Sequence, residues 1–454
     1  MQEIKKQLAI FAQMCIILYE KQYFVHFRRL QMYKDLSMEQ LEELRKELVR
    51  EHENYKAQGL KLNMARGKPA PDQLKLSEAM LKDDLGDCHA ADGTDCRNYG
   101  VLDGIPEAKE LLRPMLGVAM DEIIVGGNSS LQLMYDTIMM SMLLGVPGGR
   151  KPWSKYDKVK FLCPVPGYDR HFAICQSLGI EMINVPYLED GPDMDLVEKL
   201  VSEDEEIKGI WCVPTYSNPT GISYSDKVVK RFAALKPKAD DFRIYWDNAY
   251  CIHHLCDDHD VVLNILDECK KTGKENMVLM FASTSKVTFP GAGIACIGAS
   301  KENIDYIKSK MTYQTIGFDK LNQLRHVRFF KDFGGMTEHM KLHRAIIAPK
   351  FDIVINTLNR EIAPHAIGGW HTPKGGYFVS FTGFDGTAKR IVELCKDAGV
   401  VLTGAGATYP YGKDPHDNNI RIAPTFPTES ELQKAMDIFC SSVKLATAEK
   451  MLGL

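Results

Sequence analysis

Between about residues 100 and 300, short apolar segments alternate with helix-length amphipathic stretches. Each segment is apolar on both faces, and a strand of that kind needs cover on both sides of its sheet. Seven segments have this character: "EIIVGG", "KVKFLCPVPGY", "EMINVPY", "IKGIWCVPTYSNP", "FRIYWDNAY", "MVLMFASTSK" and "GIACIGAS". Since helices between successive strands supply the cover, the alternation predicts an α/β domain with a mainly parallel, seven-stranded sheet.

The pattern changes at about residue 335. A helix is predicted over 341–361, then a strand at "GGYFVSFT" and a helix over 386–398. Short strands near "VVLTGAG" and "NNIRIAP" and a terminal helix follow. This mixture predicts a smaller α+β domain at the end of the chain.

A further helix is predicted near the start of the chain. Ser37 is its N-cap and Gln40 completes a capping box. Leucines at 41, 44 and 48 mark one apolar face, which we expect to pack against the C-terminal domain. The predicted division is therefore 32–75 as the N-terminal part of the small domain, 76–334 as the large domain and 335–454 as the rest of the small domain.

Residues 1–31 are apolar and basic, and "LAIFAQMCIILY" within them resembles the core of a signal peptide. No small-residue cleavage site follows it. We interpret 1–31 as an N-terminal extension, either a docking helix or a non-native start with Met32 as the alternative start.

Length and charge exclude several classes of protein. A chain of 454 residues is too long for one simple core. Its net charge of -4 argues against a nucleic-acid partner. No apolar run is long enough to span a bilayer, so no membrane association is expected. The twelve cysteines include no C-x-x-C pair and are typical of reduced thiols in a cytoplasmic protein.

Polar residues gather where the predicted strands end. They are Asn128-Ser129-Ser130, Tyr168, Asn218, Asp247 and Lys286. In parallel α/β sheets, ligands bind outside the carboxyl ends of the strands. The sequence therefore predicts a site built from these residues.

Lys286 and Asp247 are the two charged groups of this set. A lysine that loses water on burial has a lowered pKa and can form a Schiff base with an aldehyde. A carboxylate that ends an apolar strand can hold a pyridinium nitrogen protonated. The alternatives remain open: Lys286 as a surface loop lysine and Asp247 as a helix N-cap.

Three other motifs carry weaker signals. Asn218 in "YSNPTG" can donate from its amide, although Asn-Pro is also an ordinary turn. The glycines and serines of "GGNSS" precede a helix and could form an anion site or a simple cap. Arg421 in "NNIRIAP" suits a carboxylate ligand, and a structural salt bridge is an equal alternative.

The order of these motifs resembles one family. Gly67, Tyr99, "GGNSS", "PGY", "SNPTG", "DNAY", "STSK" and "IRIA" follow each other as in the fold-type I class I/II aminotransferases, which depend on pyridoxal 5'-phosphate (PLP). The resemblance covers about residues 60–440. The segments "ARGKPAPDQ" and "QTIGFDKLNQLRHVRFF" are most similar to a bacterial subgroup described as aspartate aminotransferases.

The resemblance implies a homodimeric transaminase. It would move an amino group between L-aspartate and 2-oxoglutarate by a ping-pong mechanism, with PLP held by Lys286 as an internal aldimine. The catalytic residues would be Lys286, as the acid/base, Asp247, at the ring nitrogen, and Tyr250.

The remaining roles follow from the same resemblance. The cofactor ring would contact Tyr168, Asn218 and Tyr250, and the phosphate would contact Ser129, Ser130, Ser283, Ser285 and Tyr99 of a neighbouring subunit. Substrate would bind at Asn218, at Arg421 through its α-carboxylate, and at Gly67, where the N-terminal segment closes.

One position departs from the family pattern. Many members have an arginine for the cofactor phosphate about eight residues after the lysine, where this chain has Ile294. The phosphate would instead be held by hydroxyls, by backbone N–H groups or by a cation from elsewhere, for which Arg66 and Lys320 are candidates. A second cation, needed for a dicarboxylate side chain, is sought among Arg325, Lys320 and His326.

Competing interpretations remain. Another amino donor such as alanine or an aromatic amino acid, a carbon–sulfur lyase or a decarboxylase would use the same lysine and aspartate. An effector-sensing domain of a transcription regulator would need a winged helix ahead of the fold. A metal site in "CIHHLCDDHD" would use Cys251, His253, His254, Cys256 and His259, but the spacing does not match zinc patterns, and no metal is expected.

Overall fold

A computed structural model describes residues 32–454, so the predicted extension 1–31 lies outside the described residues. The α-helices are α1 Met38–Lys56, α2 Pro71–Lys75, α3 Pro106–Leu116, α4 Ser130–Leu144, α5 Asp169–Ser177, α6 Met194–Glu203, α7 Asp226–Ala234, α8 Ile265–Thr272, α9 Lys301–Met311, α10 Lys320–Phe330, α11 Phe333–Glu361, α12 Ala388–Asp397 and α13 Glu429–Met451. In this part of the chain no helix is both long and apolar enough to cross a bilayer.

The strands are shorter and lie between these helices. They are β1 Leu62–Asn63, β2 Ile123–Val125, β3 Lys160–Val165, β4 Glu181–Leu188, β5 Gly191–Pro192, β6 Ile207–Cys212, β7 Arg243–Asp247, β8 Val278–Ser283, β9 Ala295–Ala299, β10 Gly368–Trp370, β11 Val379–Gly383, β12 Val400–Val401 and β13 Asn419–Ile422.

The main sheet has the strand order β2-β9-β8-β7-β6-β3-β4-β5. Strands β8, β7, β6, β3 and β4 are parallel, whereas β9 runs antiparallel to both of its neighbours. The predicted mainly parallel α/β sheet is confirmed, and all seven predicted segments contribute a strand. The additional β5 is a two-residue antiparallel strand at the edge, too short to give a periodic signal.

Both faces of this sheet are buried, as the apolar segments require. Along the central strands, Phe161, Trp211 and Tyr245 face one layer of helices. Ile244 and Trp246 face the opposite layer. The ring centroids of Phe161 and Tyr245 lie 5.6 Å apart, so large aromatic side chains fill the space between strands and helices.

A second, smaller unit joins the two ends of the described chain. Strands β10, β11 and β13 form an antiparallel sheet, and β1 pairs in parallel with β12. Helix α1 packs against α13. The capping box predicted at Ser37 and Gln40 is present at the start of α1.

One predicted boundary is wrong. Helix α11 begins at Phe333 rather than at 341, because the Asp332 side chain accepts a hydrogen bond from the N–H of Gly335 and caps the helix there. Gly334 and Gly335 occupy the first turn, and glycine is a weak helix former, so the sequence pattern hides the start.

Candidate active site

A cavity of about 270 Å³ lies at the carboxyl ends of β3, β6, β7 and β8. These four strands are neighbours in the sheet, so the loops that follow them meet at one edge. The predicted residues that line the cavity are Gly67, Ser129, Ser130, Tyr168, Asn218, Asp247, Tyr250, Ser283, Ser285 and Lys286. Tyr99 and Arg421 are not among the lining residues.

Asp247 ends β7 and is 3% exposed. Its Oδ2 accepts a hydrogen bond from Nε2 of His171 at 3.0 Å. Its Oδ1 is buried and has no partner among the described residues. A buried carboxylate oxygen without a partner is costly, so this atom is a ready acceptor for a donor on a bound ligand.

His171 is a residue of this site that the sequence reasoning missed. Its ring lies parallel to that of Trp211 with centroids 4.2 Å apart, which holds the imidazole in place beneath Asp247. The available signal was its spacing: His171 follows Tyr168 by three residues at the start of α5, and such residues share a helix face.

Lys286 lies three residues after the end of β8. Its Nζ is 4.9 Å from the ring centroid of Tyr250 and 5.9 Å from that of Tyr377. Burial lowers the pKa of the Lys286 amine, while the negative charge of Asp247 acts in the opposite direction. Because the net shift is downward, more of the amine is neutral and nucleophilic than in an exposed lysine.

A cluster of hydroxyl groups lies beside the N-terminus of α4. Oγ of Ser283 donates to Oγ of Ser285 at 3.0 Å, and Oγ of Ser285 donates to the carbonyl of Asn128 at 3.3 Å. Ser129 is the N-cap of α4 and makes no side-chain cap bond, and Ser130 is the first residue of the helix. Backbone N–H groups and hydroxyls at such a point can hold an anion.

The two residues predicted to supply a cation at this anion site, Arg66 and Lys320, do not lie beside it. Ile294 is buried, and its N–H donates to Oγ1 of Thr284 at 2.9 Å. Arg66 is exposed, and Lys320 donates to the carbonyl of Gly100 at 2.9 Å. Neither Arg66 nor Lys320 lines the cavity.

Tyr168 and Tyr250 contribute protonated hydroxyl groups. Burial raises the pKa of Tyr168 to about 12, with Asp247 as the next cause. Burial also raises the pKa of Tyr250 well above its ordinary value. Asn218 accepts a hydrogen bond from Nη1 of Arg421 at 3.3 Å through its Oδ1, so its NH₂ group is the end that can donate.

Arg421, in β13, borders the cavity from the smaller unit. Its Nη1 forms an ion pair with Oδ1 of Asp169 at 3.0 Å, and Nη2 lies 3.4 Å from Oγ1 of Thr403. Its Nε is buried without a partner among the described residues. The structural ion pair and an unpartnered N–H group therefore occur together, and a guanidinium N–H without a partner can donate to a carboxylate.

Gly67 lies directly against the ring of Phe378. A Cβ atom at Gly67 would stand 2.4 Å from Cζ of that ring, so no side chain fits there. The same ring lies 4.8 Å from the guanidinium carbon of Arg421. Because Gly67 has no side chain, the N-terminal segment packs directly on Phe378, and Phe378 in turn lies against Arg421.

None of the three residues proposed as a side-chain cation lines the cavity. Nε2 of His326 lies 3.1 Å from Oγ1 of Thr284, and burial lowers the pKa of His326 to about 4. Arg325 bonds only weakly to Asn322, at 3.5 Å, and does not line the cavity. Arg170 does not line the cavity either; it is exposed and follows the lining residue Tyr168 by two positions.

Tyr99 lies outside this cavity. Its side chain is 82% exposed and lines a separate surface pocket together with Phe318 and Lys320. Within a single chain, the tyrosine therefore does not contact the serine cluster.

The three histidines of "CIHHLCDDHD" do not converge on one point. Nδ1 of His254 lies 2.8 Å from the hydroxyl of Tyr216, and the His254 and His259 ring centroids are 3.9 Å apart. His253 is buried against Tyr250. Between residues 32 and 454, no three side chains of His, Cys, Asp or Glu are grouped so as to hold a metal ion.

The arrangement fits a cofactor with an aldehyde, a ring nitrogen and a phosphate. Lys286 supplies the amine with a lowered pKa, and the unpartnered Oδ1 of Asp247 supplies the acceptor for a protonated ring nitrogen. The serine cluster at α4 supplies the anion site. PLP has these three features.

Comparison with known proteins gives a consistent result. A family model described as aspartate amino-transferase matches residues 36–454. The aspartate aminotransferase of Corynebacterium glutamicum is 43% identical over 417 residues, covering 92% of this chain and 96% of the relative. A protein of Mycolicibacterium smegmatis is 47% identical over 422 residues, covering 90% of this chain and 98% of the relative. Its name is that of an aminotransferase and gives no substrate. The crystal structure of an aspartate transaminase from C. glutamicum matches with a TM-score of 0.90 at 43% identity, covering 92% of this chain and 98% of that one.

Proposed function

We propose, since the chain belongs to the aspartate amino-transferase family and is therefore a transaminase, that it transfers an amino group between L-aspartate and 2-oxoglutarate with PLP as cofactor. The observation that carries this proposal is the state of Asp247. One of its oxygens is held by His171, and the other is buried without a partner among the described residues; Asp247 and Lys286 line the same cavity.

The roles proposed for the charged residues follow from their positions. Bound PLP supplies an electron-withdrawing ring that stabilises negative charge at the substrate α-carbon. Asp247, oriented by His171, keeps the ring nitrogen protonated. Lys286 holds the cofactor covalently and then carries the proton to and from the α-carbon, for which an amine with a lowered pKa is suited.

The other side chains bind and orient. Arg421 binds the α-carboxylate through its buried, unpartnered Nε, and Asn218 and Tyr250 bind the ring oxygen. Tyr168 packs on the ring, and the serine cluster binds the phosphate. Because donor and acceptor use this one site in turn, the donor leaves as an oxo acid before 2-oxoglutarate binds, which is a ping-pong mechanism.

We propose the domain division given above. Residues 76–334 form the large domain, and residues 32–75 together with 335–454 form the small domain. It is supported by the pairing of β1 with β12 and by the packing of α1 on α13. The cavity then lies where the two domains meet, which is a preferred place for small-molecule sites. The cysteines of the described residues are all free, which supports a reducing compartment such as the cytoplasm.

The amino donor is tested with a panel of amino acids and 2-oxoglutarate. Aspartate is expected to have the highest kcat/KM, and the products are expected to be oxaloacetate and glutamate. We propose that Arg170, an exposed cation two residues after the lining residue Tyr168, binds the side-chain carboxylate. Since a charge-assisted hydrogen bond contributes about 1.5–3 kcal/mol, aspartate should exceed alanine by about tenfold or more.

The variant Arg170→Gln is expected to lose that preference, with kcat/KM for alanine unchanged. Arg150→Gln is the matched control, because Arg150 is exposed and pairs with Asp240 at 2.7 Å away from the cavity. A preference for alanine or an aromatic donor would contradict the substrate assignment. Release of pyruvate and ammonia or sulfide, without transfer to 2-oxoglutarate, would indicate a lyase.

We propose that a second copy of the chain covers the region of Tyr99 and adds its hydroxyl to the phosphate site. The support is exposed apolar surface: Leu143 is 60% exposed and Tyr313 is 87% exposed, and both line one surface pocket. Surfaces of this kind mark interfaces between proteins.

Light scattering of the purified protein is expected to give twice the mass of one chain. Tyr99→Phe should keep that mass but weaken PLP binding by about tenfold, the loss of one hydrogen bond to a charged group. A monomer with full activity would contradict the proposal.

A further inference from the structure

A group of buried polar side chains that do not line the cavity contacts the loop that carries Lys286. Each of them bonds to the carbonyl of Lys286, to the carbonyl of Val287 or to another member of the group. The members, here called the lysine-support network, are Gln73, Ser77, His339, His343 and Tyr377.

Two carbonyl groups of the loop are held directly. The hydroxyl of Tyr377 donates to the carbonyl of Lys286 at 3.5 Å. Nε2 of His343 and Nε2 of His339 lie 2.9 Å and 3.0 Å from the carbonyl of Val287. The carbonyl of Val287 is therefore held by two histidines, and the carbonyl of Lys286 is held more weakly by Tyr377.

The hydrogen-bond pattern settles the protonation of His343. Oε1 of Gln73 accepts from the N–H of Ala70 at 3.0 Å, so the other end of the amide donates. That Nε2 donates to the hydroxyl of Tyr377 at 2.9 Å and faces Nδ1 of His343 at 3.1 Å. Nδ1 must then be unprotonated, and Nε2 carries the hydrogen that is donated to Val287. Burial lowers the pKa of His343 to about 4, which agrees with a neutral ring.

The network also reaches the N-terminal segment. Oγ of Ser77 lies 3.2 Å from Nε2 of His339, and both Ser77 and Gln73 are fully buried. These two residues follow Gly67, which lies against Phe378 at the cavity. The segment that borders the substrate site and the loop that carries the lysine are therefore linked through one set of hydrogen bonds.

We propose that the lysine-support network is a positioning device that fixes the reach of the Lys286 amine and excludes water from it. This inference rests on the proposed function of Lys286. Catalytic rates depend steeply on the placement of the reacting group, and a lysine on a flexible stem is placed by its backbone.

Four side chains face the lysine, and their contacts with its amine would change if the loop moved. They are Asp247, Tyr250, His253 and Tyr377. Both ring nitrogens of His253 are buried without partners among the described residues, and its ring packs edge-on against Tyr377 at 5.6 Å. This dry surrounding disfavours the charged amine, so entry of water would raise the pKa of Lys286.

The test uses Tyr377→Phe, His343→Leu and His343→Gln in the full chain. Tyr377→Phe removes the hydroxyl but keeps the ring that packs on Tyr250. His343→Gln keeps a donor for the carbonyl of Val287, whereas His343→Leu does not. Thr447→Val is the control, since it deletes one buried hydrogen bond of 2.8 Å within α13, far from the lysine in the chain.

Two readouts separate positioning from loss of stability. At saturating PLP, Tyr377→Phe and His343→Leu are expected to lower kcat by about tenfold with KM changed less than about twofold. In the protein stripped of PLP, labelling of Lys286 by an amine reagent, followed against pH by mass spectrometry, should show its pKa raised by about half a unit or more. His343→Gln should restore both, and Thr447→Val should change neither.

The other possible results test the proposed function and the positioning role separately. If the wild-type protein transfers no amino group, the proposed function fails, while the labelling experiment still measures the lysine. If wild type is active and Tyr377→Phe and His343→Leu match Thr447→Val in kcat and in the pKa of Lys286, the positioning role is wrong. Equal losses in His343→Gln and His343→Leu would also contradict it, because the donor to Val287 would then be irrelevant.

Discussion

Lys286→Ala is expected to lose the visible absorbance of covalently held PLP and to lower turnover by about 10⁴-fold, the upper range for removal of a positioned acid/base. The reason is that one amine is assigned two tasks, covalent attachment and proton transfer at the α-carbon. No other lysine lines the cavity among residues 32–454, so none is placed to take over. Absorbance spectra and steady-state rates with aspartate and 2-oxoglutarate measure the two losses.

Lys301→Ala is the control for this experiment. Lys301 is exposed and pairs with Asp305 at 2.8 Å within α9. It should leave absorbance and turnover unchanged. Retained turnover in Lys286→Ala would show that the lysine is not the reacting group and would remove the basis of the proposed mechanism.

Asp247→Asn is expected to lower kcat by about 10²–10³-fold, as does removal of one preorganised electrostatic stabiliser in other enzymes. Asparagine keeps an oxygen for the hydrogen bond from His171, so the local packing should survive. What it lacks is the negative charge that keeps a ring nitrogen protonated. PLP should still bind and remain attached to Lys286, so the loss is expected in kcat and not in the visible absorbance.

The companion variant His171→Gln separates charge from orientation. It removes the imidazole that fixes Asp247 but leaves the carboxylate, so its loss of kcat should be smaller than that of Asp247→Asn. Asp305→Asn is the surface control, because Asp305 is exposed and pairs with Lys301 on α9. Full activity in Asp247→Asn would show that ring-nitrogen protonation is not the role of this residue.

Much of the fold could be predicted because each central strand is apolar on both faces. Segments such as "FRIYWD" can be buried only between two layers, and that demand is local to the segment. The start of α11 could not be predicted, because it depends on Asp332 capping a turn that contains two glycines. The strand β5 is only two residues long and exists because it pairs with the end of β4.

Site residues could be predicted where their position relative to a strand is distinctive in the sequence. Lys286, Asp247 and Asn218 end strands or follow them closely, and parallel topology then brings them together. His171 was missed because its role requires a stack on Trp211, from a strand some 40 residues further along the chain. Arg66 and Lys320 were suggested from charge alone, and the packing places neither of them in the cavity.

By itself, the sequence determined the α/β class, the order of the strands along the chain and the residues that meet at their carboxyl ends. These depend on periodicity and on which residues follow each strand, and both are properties of neighbouring positions. The tertiary structure alone decided that, within residues 32–454, Oδ1 of Asp247 and Nε of Arg421 are buried without partners. It also decided that Gln73, His343 and Tyr377 meet beside the loop of Lys286. Those features are contacts between residues up to about 300 positions apart, and burial and hydrogen bonding at such distances arise only when the whole chain has packed.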